Sequence, residues 1–483
     1  MADLKPTQEQ GAIIEAVGAG RNVVIQAGAG TGKTSTLKMA ARALDRRRAL
    51  YVAYNKSIAT EAAASFPEHV SCRTAHSLAH QAVGRRFRHR LNGPRELPSR
   101  RAEILGTPWV DLGSAATAIT PVQLARIAVD TVARFCYSAD REIGAHHVPA
   151  QNGIFGDDHE ALSREAVIYA RRAWADLCDV DGRLKFQHDH YLKMWALTKP
   201  QLPFEVVMLD EAQDSNPCVA QLVQGQASAQ QIAVGDSNQS LYQWRGATDA
   251  LEHWAADDVL FLSQAWRFGP VIAGQANRWL GYIGSPLRLK GNPGIASELA
   301  KLTAARAVLC RTNSEAMRRV MLLLAQGIRV ALAGGGAEIR RLALAAEELQ
   351  EQGRTSHPEL YVFSSWAALQ EYVETDASGS DLKPFVDLID SHGTAAVLAA
   401  IDALVDETRC NTVVSTAHKS KGREWDSVLI ADDFPEPAGH GATIPKVDAM
   451  LGYVAVSRAR LRLDPGGLDW AHHRHPATRP AAS

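Results

Sequence analysis

The chain contains 483 residues, of which 46% are hydrophobic and 22% charged, and its formal net charge is −1. This composition is typical of a globular protein of roughly two to four domains, and the near-zero charge excludes nucleic-acid binding through bulk positive charge, so such binding would need a local groove. Six scattered cysteines without a C-x-x-C pair argue against a disulfide scaffold or a zinc ribbon. Because we find neither an apolar leader nor an uncharged apolar run of about 18 residues, we expect a cytoplasmic protein that needs no membrane.

Near the N-terminus, a glycine-rich loop separates a predicted strand (21–25) from a predicted helix (35–44). In this context the loop predicts a cradle for phosphate, formed by backbone N–H groups and a helix N-terminus. We expect Gly28, Gly30 and Gly32 to adopt positive φ. Lys33 would reach the β- and γ-phosphates and Thr34 would hold Mg²⁺, so the loop predicts a nucleoside triphosphate and Mg²⁺. The predicted nucleotide-binding residues of the loop are Ala27, Gly28, Ala29, Gly30, Thr31, Gly32, Lys33, Thr34 and Ser35.

Further predicted strands (49–54, 69–73, 204–209 and 231–234) alternate with helices. This alternation predicts an α/β fold with a parallel sheet, in which polar residues at the strand ends are the site candidates. Asp210 and Glu211 follow the strand at 204–209. Downstream of a phosphate-binding loop, such a pair predicts that Asp210 holds Mg²⁺ and that Glu211 takes a proton from the attacking water.

Residues 85–198 are predicted to be a helical insertion in this α/β domain. Its first part carries one acid, Glu96, among seven arginines, which form either a solvated basic face or a surface that contacts phosphates. These arginines are Arg85, Arg86, Arg88, Arg90, Arg95, Arg100 and Arg101.

A second α/β domain begins near residue 263. Its predicted strands end before Arg311 and before His418, its helical insertion spans 337–409, and its last predicted helix spans 447–459. The His-rich tail is predicted to be disordered and not to bind metal. Ahead of this domain, the aromatics Tyr242 and Trp244 could either stack on bases or belong to a core.

Taken in order, these motifs resemble the superfamily-1A DNA helicases of the UvrD/Rep/PcrA type. Segments 51–59, 72–79 and 188–195 resemble the branch that includes the F-box DNA helicases, although we find no F-box segment. The resemblance implies two RecA-like P-loop motor domains, each a parallel sheet flanked by helices. The implied division is 1–84 with 199–262 (first motor domain), 85–198 (1B-like insertion), 263–336 with 410–471 (second motor domain), 337–409 (reduced 2B-like insertion) and 472–483 (disordered tail).

The resemblance also implies roles for single residues on the nucleotide side and on the DNA side. Gln8 resembles a glutamine that reads adenine, Trp266 an aromatic that stacks on adenine, and Arg267 a γ-phosphate contact. Gln239 resembles a γ-phosphate sensor, Arg458 an arginine finger, and Glu424 a residue of the nucleotide side. The implied DNA contacts are Asn55, Lys56, His76, Tyr242, Trp244, Arg245, Arg311, Asn313 and His418.

The sequence therefore predicts a DNA-dependent ATPase that uses ATP and Mg²⁺ and moves 3′→5′ on single-stranded DNA as a helicase. The direction rests on the resemblance alone. Single-stranded DNA and its junctions with duplex are the predicted partners of an isolated monomer. The short insertion at 337–409 leaves open a translocase that remodels protein–DNA filaments without processive unwinding, and a nucleotide-switched DNA-binding module is the third alternative.

Overall fold

A computed structural model describes residues 5–91, 97–112, 118–151, 154–241, 249–361, 363–375, 382–437 and 443–474. The chain divides into two compact units, Met1–Ala27 with Gly32–Leu262 and Gly28–Thr31 with Ser263–Ser483. The predicted stacking group Tyr242, Trp244 and Arg245 lies outside the described residues, as does Arg95. Within the described ranges, no helix has both the length and the apolar character needed to cross a membrane.

The first unit contains a parallel sheet. Its described strands are β1 (Val23–Ala27), β2 (Ala49–Ala53), β3 (Val70–Thr74), β4 (Val206–Leu209), β5 (Gln230–Gly235) and β6 (Asp258–Leu262). They lie in the order β3-β2-β4-β5-β1-β6, with parallel pairing throughout these strands. All residues of β2 and β4 are buried, as expected for apolar strands covered on both faces.

Helices cover both faces of this sheet. The described α-helices of this unit are α1 (Gln8–Gly18), α2 (Lys33–Arg42), α3 (Lys56–Ala63), α4 (Ala75–Ala82), α5 (Arg88–Leu91), α6 (Pro98–Leu105), α7 (Pro121–Tyr137), α8 (Gly156–Cys178), α9 (His188–Leu197) and α10 (Pro217–Gln224). One apolar cluster joins α1, α2 and α3 to the sheet. A second apolar cluster contains residues of the four helices α6, α7, α8 and α9, which belong to the predicted insertion, together with sheet residues such as Leu50 and Val207. The insertion is therefore part of the core of the first unit.

The second unit also contains a parallel sheet. Its described strands are β7 (Glu298–Leu299), β8 (Ala307–Cys310), β9 (Val330–Leu332), β10 (Thr412–Thr416), β11 (Trp425–Ile430) and β12 (Ala459–Asp464), in the order β7-β12-β11-β8-β10-β9. Its described helices are α11 (Pro270–Ile283), α12 (Asn313–Ala325), α13 (Ala337–Gln352), α14 (Trp366–Thr375), α15 (Lys383–His392), α16 (Thr394–Asp402) and α17 (Lys446–Val456). The predicted α/β class with two RecA-like sheets is thus confirmed.

Two sequence predictions were wrong near the C-terminus. The helix predicted for 447–459 ends at Val456, and Ala459 begins strand β12, which pairs with β11. Residues 449–456 are all buried, so the apolar pattern gave no sign of where the helix ends. His472 and His473, predicted to be disordered, end a 3₁₀ helix (Gly466–His473), and residues 475–483 lie outside the described residues.

Arg90 does not belong to an exposed basic surface. Its side chain is 6% exposed, and its guanidinium donates to Asp176 O at 3.2 Å, to Leu184 O at 2.9 Å and to Asp179 O. Because the last carbonyls of a helix lack partners within the helix, Arg90 acts as the C-terminal cap of α8. Arg85, Arg86 and Arg88, in contrast, are exposed.

We therefore expect Arg90→Ala to lower the free energy of unfolding by about 3 kcal/mol, because the substitution leaves buried carbonyls unpaired. The matched substitution Arg88→Ala, at an exposed position of the same helix, should change it by less than about 0.5 kcal/mol. Chemical denaturation of both variants measures the difference. Equal stabilities would show that Arg90 is not a structural cap.

Candidate functional site

Three neighbouring strands of the first sheet, β4, β5 and β1, end at one site. Because the carboxyl ends of parallel strands meet at one edge, the residues that follow them lie together. Asp210 follows β4, Asp236 follows β5, and the glycine loop follows β1. The sequence predicted the first and last of these, but Asp236 was missed.

The glycine loop has the predicted backbone at two of its three glycines. Gly30 and Gly32 have φ of 71° and 80°, whereas Gly28 is not in the left-handed region, so the prediction for Gly28 was wrong. A Cβ on Gly28 would lie 2.2 Å from Leu289 Cδ2 of the second unit, to which residues 28–31 belong, so a larger residue at position 28 would require that leucine side chain to move. Gly32 is the N-terminal cap of α2 and has no side chain that could accept hydrogen bonds from the first N–H groups of the helix. These N–H groups can therefore bind an anion.

Lys33 and Glu211 form an ion pair in the first unit, with 3.2 Å between Nζ and Oε1. Burial by itself would lower the pKa of Lys33, but the carboxylates of Glu211, Asp236 and Asp210 raise it, so the ammonium stays charged. Glu211 has a φ of 50°, a left-handed conformation that residues other than glycine rarely adopt. Such local strain is often found at functional sites.

Asp210 is buried, with its two carboxylate oxygens held separately. Oδ1 accepts a hydrogen bond from Glu211 N at 2.9 Å, and Oδ2 accepts one from Tyr51 Oη at 2.5 Å. Burial and the nearby Glu211 raise the pKa of Asp210 to about 6, against the opposing effect of Lys33. Together with the hydroxyl of Thr34 at the start of α2, this carboxylate supplies the oxygen ligands that suit Mg²⁺.

Gln213 links the site residues but received no role from the sequence. Its Nε2 donates to Glu211 Oε2 at 2.7 Å, and its Oε1 accepts from Asp236 N at 3.0 Å. A Cβ on Gly235 would lie 2.1 Å from that Oε1, so the glycine at the end of β5 leaves room for the amide. In the sequence, the signal that could have drawn attention to this neighbourhood is Gly235, a glycine at a strand end directly before Asp236.

Gln239, the predicted γ-phosphate sensor, is buried in a 3₁₀ helix after β5. Its Nε2 donates to Asp236 Oδ2 at 2.6 Å, and Asn238 N donates to Asp236 Oδ1 at 3.1 Å. Hydrogen bonds through Asp236 and Gln213 therefore connect the predicted sensor with the predicted general base Glu211.

The two candidates for adenine contact are both exposed. Gln8 is the first residue of α1, whose start is fixed by a capping box between Thr7 and Gln10. The side chain of Trp266 is 48% exposed in the second unit, and its backbone N–H donates to Gly30 O at 2.7 Å.

The two predicted γ-phosphate arginines are already engaged within the second unit. Arg267 Nε donates to Glu424 Oε2 at 2.6 Å. Arg458 is 1% exposed and donates to Val454 O at 2.9 Å and to Ser457 Oγ at 2.8 Å. To contact a phosphate, Arg458 would have to leave these acceptors.

The predicted DNA contacts of the first unit lie at the ends of β2 and β3. Asn55 caps α3, Lys56 is its first residue, and both are exposed. His76 Nε2 lies 2.9 Å from Asp189 Oδ1, and Tyr137 Oη donates to Asp189 Oδ2 at 3.4 Å. Asp189 belongs to α9, within the predicted insertion, so a residue of that segment holds the histidine that follows β3.

In the second unit, the DNA-side candidates follow two adjacent strands, with Arg311 and Asn313 after β8 and His418 after β10. Asp433, after β11, accepts from Arg311 N at 2.9 Å, and Arg311 Nη2 lies 3.1 Å from Asp448 Oδ1. Asn313 is exposed at the start of α12. Burial and then Arg311 lower the pKa of His418, which favours its neutral form.

Asp140, His146 and His147 lie close enough to suggest a metal site among the described residues. However, His147 Nδ1 accepts a hydrogen bond from Gly144 N at 3.0 Å, so the proton of the neutral ring sits on Nε2. That nitrogen faces Asp140 Oδ2 at 3.1 Å. The group is therefore a hydrogen-bonded cluster, because its buried nitrogen carries a proton where a metal would need a lone pair.

Comparison with known proteins matches a family model and several relatives, which include two F-box DNA helicases. A model described as "AAA domain" matches residues 9–245. F-box DNA helicase protein 1 of Schizosaccharomyces pombe is 27% identical over 95% of this chain and 57% of its own length. F-box DNA helicase 1 of Gallus gallus is 26% identical over 95% of this chain and 49% of its own length. The predicted resemblance to the F-box branch of the superfamily-1 DNA helicases is confirmed.

This chain thus spans about half the length of the F-box DNA helicases it matches. The AAA model ends at residue 245, before Ser263, where the long segment Ser263–Ser483 of the second unit begins. The likeness of that unit to the F-box DNA helicases therefore rests on the pairwise comparisons, which cover 95% of the chain.

Proposed function

We propose that this protein is a DNA-dependent ATPase that uses Mg²⁺ and ATP to move 3′→5′ on single-stranded DNA and to separate strands. The observation that supports it most is the connected group Lys33, Glu211, Gln213, Asp236 and Gln239 at three adjacent strand ends. Such a group suits a nucleotide-hydrolysing site with a built-in sensor. The matched relatives are named DNA helicases, which supports DNA as the substrate.

In the proposed reaction, Lys33 binds the β- and γ-phosphates and Glu211 takes a proton from the attacking water. Lys33 and Gln213 each hold one oxygen of the Glu211 carboxylate. When Lys33 turns to the phosphates, Oε1 becomes available to accept the proton, while Gln213 keeps the carboxylate in place. Mg²⁺ held by Thr34 and Asp210 would neutralise phosphate charge.

The remaining candidates receive proposed roles on the same basis. Gln8 and Trp266 would contact adenine, Glu424 would lie on the nucleotide side, and Arg267 and Arg458 would stabilise charge on the γ-phosphate. The proposed motor domains are residues 1–84 with 199–262 and residues 263–336 with 410–471, with insertions at 85–198 and 337–409.

The proposal is tested by ATPase assays with and without single-stranded DNA, followed by unwinding of duplexes with either a 3′ or a 5′ tail. We expect DNA to stimulate hydrolysis and the 3′-tailed duplex alone to be unwound. An ATPase rate that DNA does not change would overturn the proposal. Unwinding of the 5′-tailed duplex alone would overturn the direction.

A filament-remodelling translocase is the second candidate, and the packing of the 337–409 insertion favours it. Ile339 of α13 and Leu369 of α14 belong to the same apolar cluster as Val308 of β8 and Val414 of β10. The insertion is therefore continuous with the core of the second unit instead of forming a separate regulatory body. Removal of a protein filament without unwinding of the 3′-tailed duplex would favour this candidate.

We predict that Asp189→Asn weakens single-stranded DNA binding by about three- to tenfold, because His76 loses a charged hydrogen-bond partner. Asp181→Asn, at an exposed acid of the same insertion, should not change it. Fluorescence anisotropy with a labelled oligonucleotide measures both variants. If the losses caused by Asp189→Asn and His76→Ala add fully in the double variant, the two residues do not act together.

A further inference from the structure

The carboxylate proposed to hold Mg²⁺ has a hydrogen-bond partner on the neighbouring strand to which no role was assigned from the sequence. Tyr51 lies in β2, next to β4, where it is the register partner of Met208. Its hydroxyl reaches Asp210, two residues beyond Met208, and donates to Oδ2 at 2.5 Å. A residue 159 positions away in sequence thus contacts the proposed metal ligand directly.

The surroundings of Tyr51 fix where its hydroxyl lies. The side chain is fully buried among apolar residues of β1, β2, α2 and α3, and its ring packs on Phe66 with 4.7 Å between centroids. A buried hydroxyl is costly unless it is hydrogen-bonded. Phenylalanine would fill the same space without that requirement, so packing alone does not account for a tyrosine at this position.

The two hydrogen bonds to Asp210 divide its oxygens between two elements. Glu211 N holds Oδ1 from the turn after β4, and Tyr51 Oη holds Oδ2 from β2. With both oxygens held, the carboxylate plane cannot rotate without losing a bond. Partners of this kind fix the direction of the remaining lone pairs, and their removal typically weakens metal binding by about 10- to 100-fold.

We propose that Tyr51 is a positioning residue that orients the Asp210 carboxylate toward Mg²⁺ bound with the nucleotide. This inference rests on the Mg²⁺–nucleotide site of the proposed function. It does not depend on DNA, on direction of movement or on strand separation. A failure of those parts of the proposed function would therefore leave it standing.

The test is Mg²⁺-dependent binding of a fluorescent ADP analogue to the full chain without DNA. Tyr51→Phe keeps the ring on Phe66 and deletes the hydroxyl alone. We expect this variant to need about tenfold more Mg²⁺ for half-maximal binding, while its affinity for the analogue in EDTA equals that of the wild type. Tyr54→Phe deletes a tyrosine hydroxyl three residues further along and should match the wild type in both conditions.

Three results would overturn the inference. The first is an unchanged Mg²⁺ requirement in Tyr51→Phe, which would make Tyr51 a core residue only. The second is an equal loss of affinity with Mg²⁺ and in EDTA, which indicates general damage to the site; thermal unfolding of the variant checks its fold. The third is nucleotide binding by the wild type that does not respond to Mg²⁺, which would also overturn the proposed Mg²⁺ site.

Discussion

Glu211→Gln should abolish ATP turnover while ATP binding persists. The amide keeps the size of the carboxylate and can still accept from Gln213, but it cannot take a proton from water. Loss of a general base typically costs about 10²- to 10⁴-fold in rate, so we expect kcat to fall by at least about 100-fold. Single-turnover hydrolysis of radiolabelled ATP measures the rate, and a fluorescent ATP analogue measures the affinity.

Glu205→Gln is the matched control for this experiment. Glu205 is exposed just before β4, the strand that leads to Glu211, and its Oε2 accepts from Arg48 N at 2.9 Å. Its substitution should leave both rate and affinity near the wild-type values. If Glu211→Gln hydrolyses ATP at the wild-type rate, another group must accept the proton.

Arg458→Ala should lower kcat by about 10³-fold or more, because an arginine finger offsets charge that develops on the γ-phosphate in the transition state. Its burial adds a second effect, since the acceptors Val454 O and Ser457 Oγ would lose their donor. The variant should therefore be less stable as well as slower. The rate must be measured below its thermal transition and normalised to the folded fraction.

Arg462→Ala provides the comparison, because Arg462 lies four residues later, is half-exposed, and pairs with Glu298 at 3.2 Å. We expect a wild-type rate for it. A normal rate per folded molecule in Arg458→Ala would make Arg458 a structural residue that pairs with the C-terminal end of α17, and would exclude it as the finger.

The sequence predicted those parts of the candidate site whose functional residues are neighbours along the chain. The glycine loop before Lys33 and the acid pair Asp210–Glu211 each follow an apolar strand, and the strand alternation places them at one sheet edge. The same reasoning gave the α/β class and both sheets.

The parts that the sequence did not predict depend on partners far apart in the chain. Tyr51 lies 159 residues from Asp210, and His76 lies 113 residues from Asp189. An apolar strand gives no sign that one of its aromatic rings ends in a hydroxyl bound to a site residue. Similarly, Arg90 could not be distinguished from its exposed neighbours, because its burial depends on carbonyls at and beyond the end of α8, 86 to 94 positions away in the sequence.

The hydrogen bonds of the Gln213 amide have a consequence for the control of the proposed ATP hydrolysis. Glu211, Asp236 and Gln239 are joined through it into one hydrogen-bonded unit. A displacement of the segment after β5 must then be transmitted to the group that would activate water. If Glu211 is the general base as proposed, hydrolysis without that displacement would be slow, because its carboxylate would reach the working position only together with the segment after β5.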